Sequence, residues 1–163
     1  MRNTSCLAKG DLLYFVHADT IPPLTYLSDI ILEVSNGFDL GRYLSSYNSP
    51  SVLLKINALL SRLDVFGAMG GDQTLFITKK LFENLKGFNS SMTIMEEFEF
   101  CARARKSGRY KIIKKHVKIS TRKYEINSWL RIQRANYTIV KMYKNGASQE
   151  SMVCRYKEML NYR

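Results

Sequence analysis

Leu12-Leu13-Tyr14-Phe15-Val16 is an apolar run without polar alternation, and it ends in His17, Ala18 and Asp19 with Pro22 and Pro23 close behind. Such a run predicts a strand over about 11–17 that is buried on both faces. Leu27, Ile30, Ile31 and Val34 then recur at helical spacing, predicting a helix over 24–35 that Asn36-Gly37 ends. "FDLGRYLSSYNS" carries short strand-like pieces and stops at Ser49-Pro50. A second helical stripe, Val52, Leu53, Ile56, Leu59, Leu60 and Leu63, covers 51–66.

After "GAMGGDQ", "TLFIT" reads as a strand, and Thr78 as the N-cap of a helix over 79–86 closed by Gly87. A helix over 96–107 stops at Gly108, and "YKIIKKHVKIST" alternates apolar with basic residues as a strand does. From Asn127 the pattern turns helical. Trp129, Ile132, Ile139, Val140 and Tyr143 share a side, Asn145-Gly146 ends the helix, and Ser148 starts a last one with Met152, Val153, Tyr156 and Met159 inward. Strands interleaved with helices, one strand apolar throughout, predict an α/β fold with a mainly parallel central sheet flanked by helices.

The length of 163 residues suits one domain. No apolar run is long enough to span a bilayer. Cys6, Cys101 and Cys154 are odd in number and widely spaced, as reduced thiols in the cytosol would be. The net charge of +11 changes the picture more, since it favours an anionic partner: nucleic acid, a phosphorylated substrate or a lipid headgroup.

The chemistry-bearing residues sit at element ends. In open α/β sheets ligands bind beyond the carboxyl ends of strands, which is where Asp19 falls. A hard oxygen there suits Mg²⁺ or Mn²⁺ bound jointly by substrate phosphates, and capping a turn is the alternative use. An Asp-x-Asp phosphatase of the haloacid-dehalogenase type is excluded, because His17 stands where the nucleophile belongs. Glu96, Glu97 and Glu99 open a helix, where the macrodipole favours negative charge; one of them can also serve as a general base. Gly70, Gly71, Asp72 and Gln73 allow either a tight turn or close approach to a ligand. Arg122 and Lys123, following the late strand, can hold a diphosphate or simply face solvent.

Together, "GDLLYFVHADTIPP", "GGDQTLFITKKLFENLKGF", "MEEFEF" and "STRKY" resemble, over residues 2–145, the family 2 glycosyltransferases of the GT-A fold. They are nearest to a bacterial subgroup of unassigned acceptor. The resemblance implies transfer of a sugar, with inversion, from a nucleotide-diphospho-sugar donor to a hydroxyl acceptor: a glycan, lipid or small molecule. It implies that Asp19 holds the metal, Mg²⁺ or Mn²⁺, against the diphosphate, with His17, Gly70, Gly71 and Gln73 on the donor side. Glu97 matches the catalytic base, Glu96 stands beside it, and Asp72 lies near the sugar or acceptor. Arg122 and Lys123 match residues that steady the leaving diphosphate.

Three departures accompany the likeness. His17 replaces the first acid of the metal motif, and Glu97 stands where Asp is usual. Similar proteins also carry several strands and helices ahead of the acidic strand end, so residues 1–125 are expected to form the C-terminal two-thirds of such a domain, N-terminally truncated. Residues 126–163 would add amphipathic helices packed on it. An apolar strand without its neighbours leaves a sheet edge open to self-association. The expected setting is the cytoplasm, with peripheral contact at the inner face of the membrane through the Trp129 helix. A non-catalytic basic module, for nucleic acid or an anionic membrane surface, is the alternative; no nucleic-acid motif is present.

Overall fold

The computed structural model describes residues 8–63 and 74–161. Within them lie β1 (Leu12–Phe15), β2 (Thr20–Ile21), α1 (Tyr26–Ser35), β3 (Leu40–Tyr47), α2 (Val52–Leu60) and β4 (Leu75–Thr78). The chain continues through α3 (Lys79–Asn84), α4 (Glu96–Ser107), β5 (Tyr110–Ile119), α5 (Arg122–Ile126), α6 (Trp129–Lys144) and α7 (Gln149–Met159).

The fold is mixed α/β, but the sheet is not mainly parallel. Its order is β1-β4-β3-β5-β2, and β3–β5 is the one parallel pairing. β4 runs antiparallel to both β1 and β3, and β2 antiparallel to β5. The expectation failed because a strand's side-chain pattern carries no direction, and β4 enters the sheet between two strands that both oppose it. One consequence of the parallel reading survives. β1, β3 and β5 all point the same way, so the chain following each leaves the sheet at one shared edge.

Both faces of β1 are covered, as its unbroken apolar pattern requires. Leu13 and Phe15 join Leu40, Leu75 and Ile77 beneath Phe82, Phe88, Phe100 and Ala104, which come from α3, α4 and the segment between them. Leu12 and Tyr14 turn the other way, toward Tyr43, Phe76, Ile113 and Val117 under Ile30 of α1. The period of two places successive side chains on opposite faces. β1 nonetheless lies at one end of the sheet, pairing with β4 alone among the described strands.

Gly37 and Gly41 are required by geometry. Gly37 holds φ +82° where α1 ends, a left-handed conformation costly for any residue with a Cβ. Gly41 lies where β3 meets β5 and β4: an added Cβ would run into the Lys111 carbonyl and come within 2.6 Å of the Phe76 ring. Register slips between Tyr43 and Leu44, leaving Lys114 and Lys115 as extra residues on β5. That bulge directs Lys115 onto α1, where its ammonium lies 2.6 Å from Asp29.

The α2 stripe behaves differently from expectation. Only Leu54 is buried, while Val52, Leu53, Ile56, Leu59 and Leu60 are exposed. Neither β2, of two residues, nor α5, of five, is long enough to leave a periodic signal.

Candidate functional site

The shared edge opens into a cleft of about 730 Å³. His17 lines it just past β1, Tyr47 at the end of β3, and Lys123 and Tyr124 just past β5. α4 supplies Glu96 and Glu97, α2 supplies Asn57, and α6 and α7 close the far wall with residues such as Trp129 and Tyr156.

Glu97 is the acid that engages the strand end. Its Oε1 lies 3.1 Å from His17 Nε2, across 80 positions of sequence, with both side chains three-quarters or so covered (29% and 23% exposed). A carboxylate accepting from a ring N–H fixes both the imidazole tautomer and the carboxylate's orientation. Glu99, by contrast, is spent on structure. It pairs with Arg103 one turn on, and Arg103 in turn donates to the carbonyls of Leu85 and Gly87. Of the three glutamates that open the helix, 96 and 97 reach the cleft.

The turn that delivers them is strained. Met95, at the N-cap of α4, has φ +65°, in the left-handed region that a long side chain rarely adopts. Such backbone persists only where surroundings over-determine it, and it gathers at functional sites. Gln149, the first residue of α7, is one such constraint: its Oε1 accepts from the backbone N–H groups of both Thr93 and Ile94, at 2.9 and 3.0 Å. The C-terminal helix thereby holds the loop that aims Glu96 and Glu97.

Below Glu97, one turn along α4, Cys101 is partly buried. Desolvation of its thiol, with the Glu97 charge adding, pushes it up to about 12. It therefore stays protonated and is no nucleophile.

Asp19 stands outside the cleft lining, exposed at the start of β2, with Thr20 Oγ1 3.5 Å from its carboxylate. Its carbonyl accepts from Ser120 N–H at 3.0 Å, which brings the acidic strand end against the turn that carries Arg122 and Lys123. Lys123 lines the cleft, its ammonium 5.4 Å from the Tyr124 ring centre, while Arg122 is exposed beside it. Among the described residues no three His, Cys, Asp or Glu side chains gather as a metal cluster. Gly70, Gly71, Asp72 and Gln73 lie outside the described residues.

The cleft's far wall was not foreseen. Trp129 Nε1 donates to Asn57 Oδ1 at 3.2 Å, and Asn57 Nδ2 donates to the Tyr124 hydroxyl at 3.1 Å, joining α6, α2 and α5 across the opening. Trp129, read from its pattern as part of an apolar face, belongs to the site. Among the described residues no helix is long and apolar enough to cross a membrane. Neither the protein-family models nor the curated proteins contain a match to this chain.

Proposed function

We propose that this chain is a glycosyltransferase domain of GT-A type, which moves a sugar from a nucleotide-diphospho-sugar to a hydroxyl acceptor with inversion. The observation that carries the reading is the pairing of Glu97 with His17 at the shared strand edge, in one cleft with Lys123. Glu97 takes the proton of the acceptor hydroxyl as that oxygen bonds to the anomeric carbon and the bond to the diphosphate breaks. His17 is a positioning residue in this scheme, its ring N–H holding the carboxylate. Lys123 and the exposed Arg122 offset the charge developing on the leaving diphosphate.

A single exposed carboxylate, Asp19, suits a divalent ion that takes its other ligands from phosphate oxygens and water. Bound there, Mg²⁺ or Mn²⁺ would neutralise diphosphate charge. Lys123 in the cleft, with Asp19 and Arg122 at the turn beside it, is then the donor side, and α6 and α7 the acceptor side.

The test is titration of the folded chain with UDP and GDP, with and without Mn²⁺, followed by turnover of the matching sugar nucleotides. Asp19→Ala is expected to abolish the metal-dependent part of nucleotide binding. Glu97→Gln should keep that binding and lower turnover by about 10²–10⁴-fold, the usual worth of a positioned general base. Absence of nucleotide binding in a folded sample, with either nucleotide, overturns the reading.

A further inference from the structure

We infer that the acceptor bound by this cleft is a saccharide rather than a lipid chain; this rests on the reading of Glu97 as the base that faces an acceptor hydroxyl. α6 carries two adjoining stripes. Ile132, Ala135 and Ile139 are buried, and Ile132 and Ala135 pack with Leu160 beyond α7. The second stripe, Trp129, Gln133, Asn136, Tyr137 and Val140, falls at positions i, i+4, i+7, i+8 and i+11 and lines the cleft. A helix face turned to a lipid tail would be apolar, because an amide left without a partner against hydrocarbon costs kilocalories. This face instead sets two aromatic rings and two side-chain amides beside Val140 and the buried Ile139, which also borders the cleft.

That combination matches the chemistry of a pyranose. One face of a sugar ring presents C–H groups that lie against an aromatic face, while its rim carries hydroxyls that pair with amide donors and acceptors. The rings are held for such use. The indole N–H of Trp129 is tied to Asn57, and the Tyr156 hydroxyl lies 3.5 Å from Asn136 Oδ1. Tyr137 is 70% exposed, a large aromatic left uncovered at the cleft wall. Gln133 and Asn136 project from the same helix face within this lining. Glu97 lies in the same cavity, so a hydroxyl of a sugar seated on α6 has a base to give its proton to.

Trp129 is the only tryptophan of the chain, so tryptophan emission, excited beyond the tyrosine absorption band, reports on this wall alone. The folded chain is screened on a glycan array, and hits are titrated by Trp emission as methyl glycosides, beside decyl phosphate as the lipid probe. Donor binding is followed separately with UDP and GDP in Mn²⁺. The expected result is saturable, glycoside-dependent change in emission. Tyr137→Ala and Gln133→Ala should each weaken it about tenfold, the loss of one stacking or amide contact plus its area. Leu130→Ala, on the solvent side of the same helix, should leave it unchanged. Nucleotide binding with no glycan bound, or with decyl phosphate alone changing the emission, overturns the saccharide inference and leaves the transferase reading standing. Glycan binding without any nucleotide binding keeps the saccharide site and removes the transferase.

Discussion

Replacing Gln149 by alanine tests whether the C-terminal helix holds the Glu96–Glu97 turn. One side-chain oxygen accepts from two backbone donors, Thr93 N–H and Ile94 N–H. Thr93 is exposed, so water replaces that bond at little cost, whereas the Ile94 site is partly buried and its donor stays poorly solvated. A neutral bond replaced by water costs at most about 0.5–1.5 kcal/mol and a fully buried unsatisfied donor about 1–3 kcal/mol; with Thr93 resolvated and Ile94 only partly buried, the loss falls near 1–2 kcal/mol. For a chain of this size that lowers Tm by roughly 3–6 °C. Because the loss is local, amide exchange at Thr93 and Ile94 should accelerate about 5–30-fold, the same energy read as an opening constant. Gln149→Glu keeps an acceptor oxygen at the same reach and should restore most of the protection. Hydrogen exchange resolved at residues 93 and 94, with calorimetry beside it, is the assay. Unchanged exchange at both amides in Gln149→Ala would refute the claim that α7 restrains this turn, whatever happened to Tm.

Lys86 holds φ +59° after α3 with its side chain in solvent, so Lys86→Gly relieves a left-handed residue without losing packing. It should raise Tm by about 2–4 °C, corresponding to ~1 kcal/mol; a fall would mean that the Lys86 side chain contributes more than its exposure suggests. In a Cys6→Ser background near pH 8, a thiol reagent should label exposed Cys154 quickly and Cys101 slowly, since the Cys101 thiol is held up near 12; equal rates would contradict its desolvation. Burial likewise raises the phenols of Tyr43 and Tyr110, with Asp29 adding at Tyr43. These groups lose protons more readily in the unfolded chain than in the folded one, so stability should decline as pH climbs from the unfolded thiol's 9.0 toward about 12. Chemical denaturation from pH 8 to 11 checks this, and a flat profile would count against it.

Elements were legible where one pattern had one use. The helix opened by Glu96 and ended before Gly108, and the cap at Thr78, whose hydroxyl accepts from Leu81 N–H, follow local rules that tertiary context did not override. The two-sided burial of β1 was legible for the same reason: no polar position interrupts it. Strand direction was not, because side-chain alternation is identical in parallel and antiparallel ladders. Only β4's place between β1 and β3 decides it. The α2 stripe misled because periodicity reports an amphipathic face without reporting what covers it, and most of that face is exposed.

The candidate site divides along a similar line. Strand ends and helix starts carry positional rules, so His17, Glu96, Glu97 and Lys123 could be picked out one by one, and the fold then brings them into a single cleft. Asp19 and Arg122 were picked out on the same grounds, and they lie beside that cleft at the turn joined through Ser120. The wall on α6 obeys no such rule. Its buried stripe (132, 135, 139) and its cleft stripe (129, 133, 136, 137, 140) are centred about 110° apart on a helix of 3.6 residues per turn and adjoin without a gap, so together they read as one broad amphipathic face. Reading Trp129 as part of a helix face packed on the domain or laid on a membrane surface was the natural consequence. What separates the stripes is Asn57, the one amide in α2 and, with exposed Lys55, one of its two polar residues; its side chain meets both the Trp129 indole and the Tyr124 hydroxyl. A lone amide in an apolar helix needs partners if it is buried, and here they are the aromatic residues of the opposite wall. The amide in α2 was therefore the sequence signal for the site, and the apolar periodicity around it concealed it.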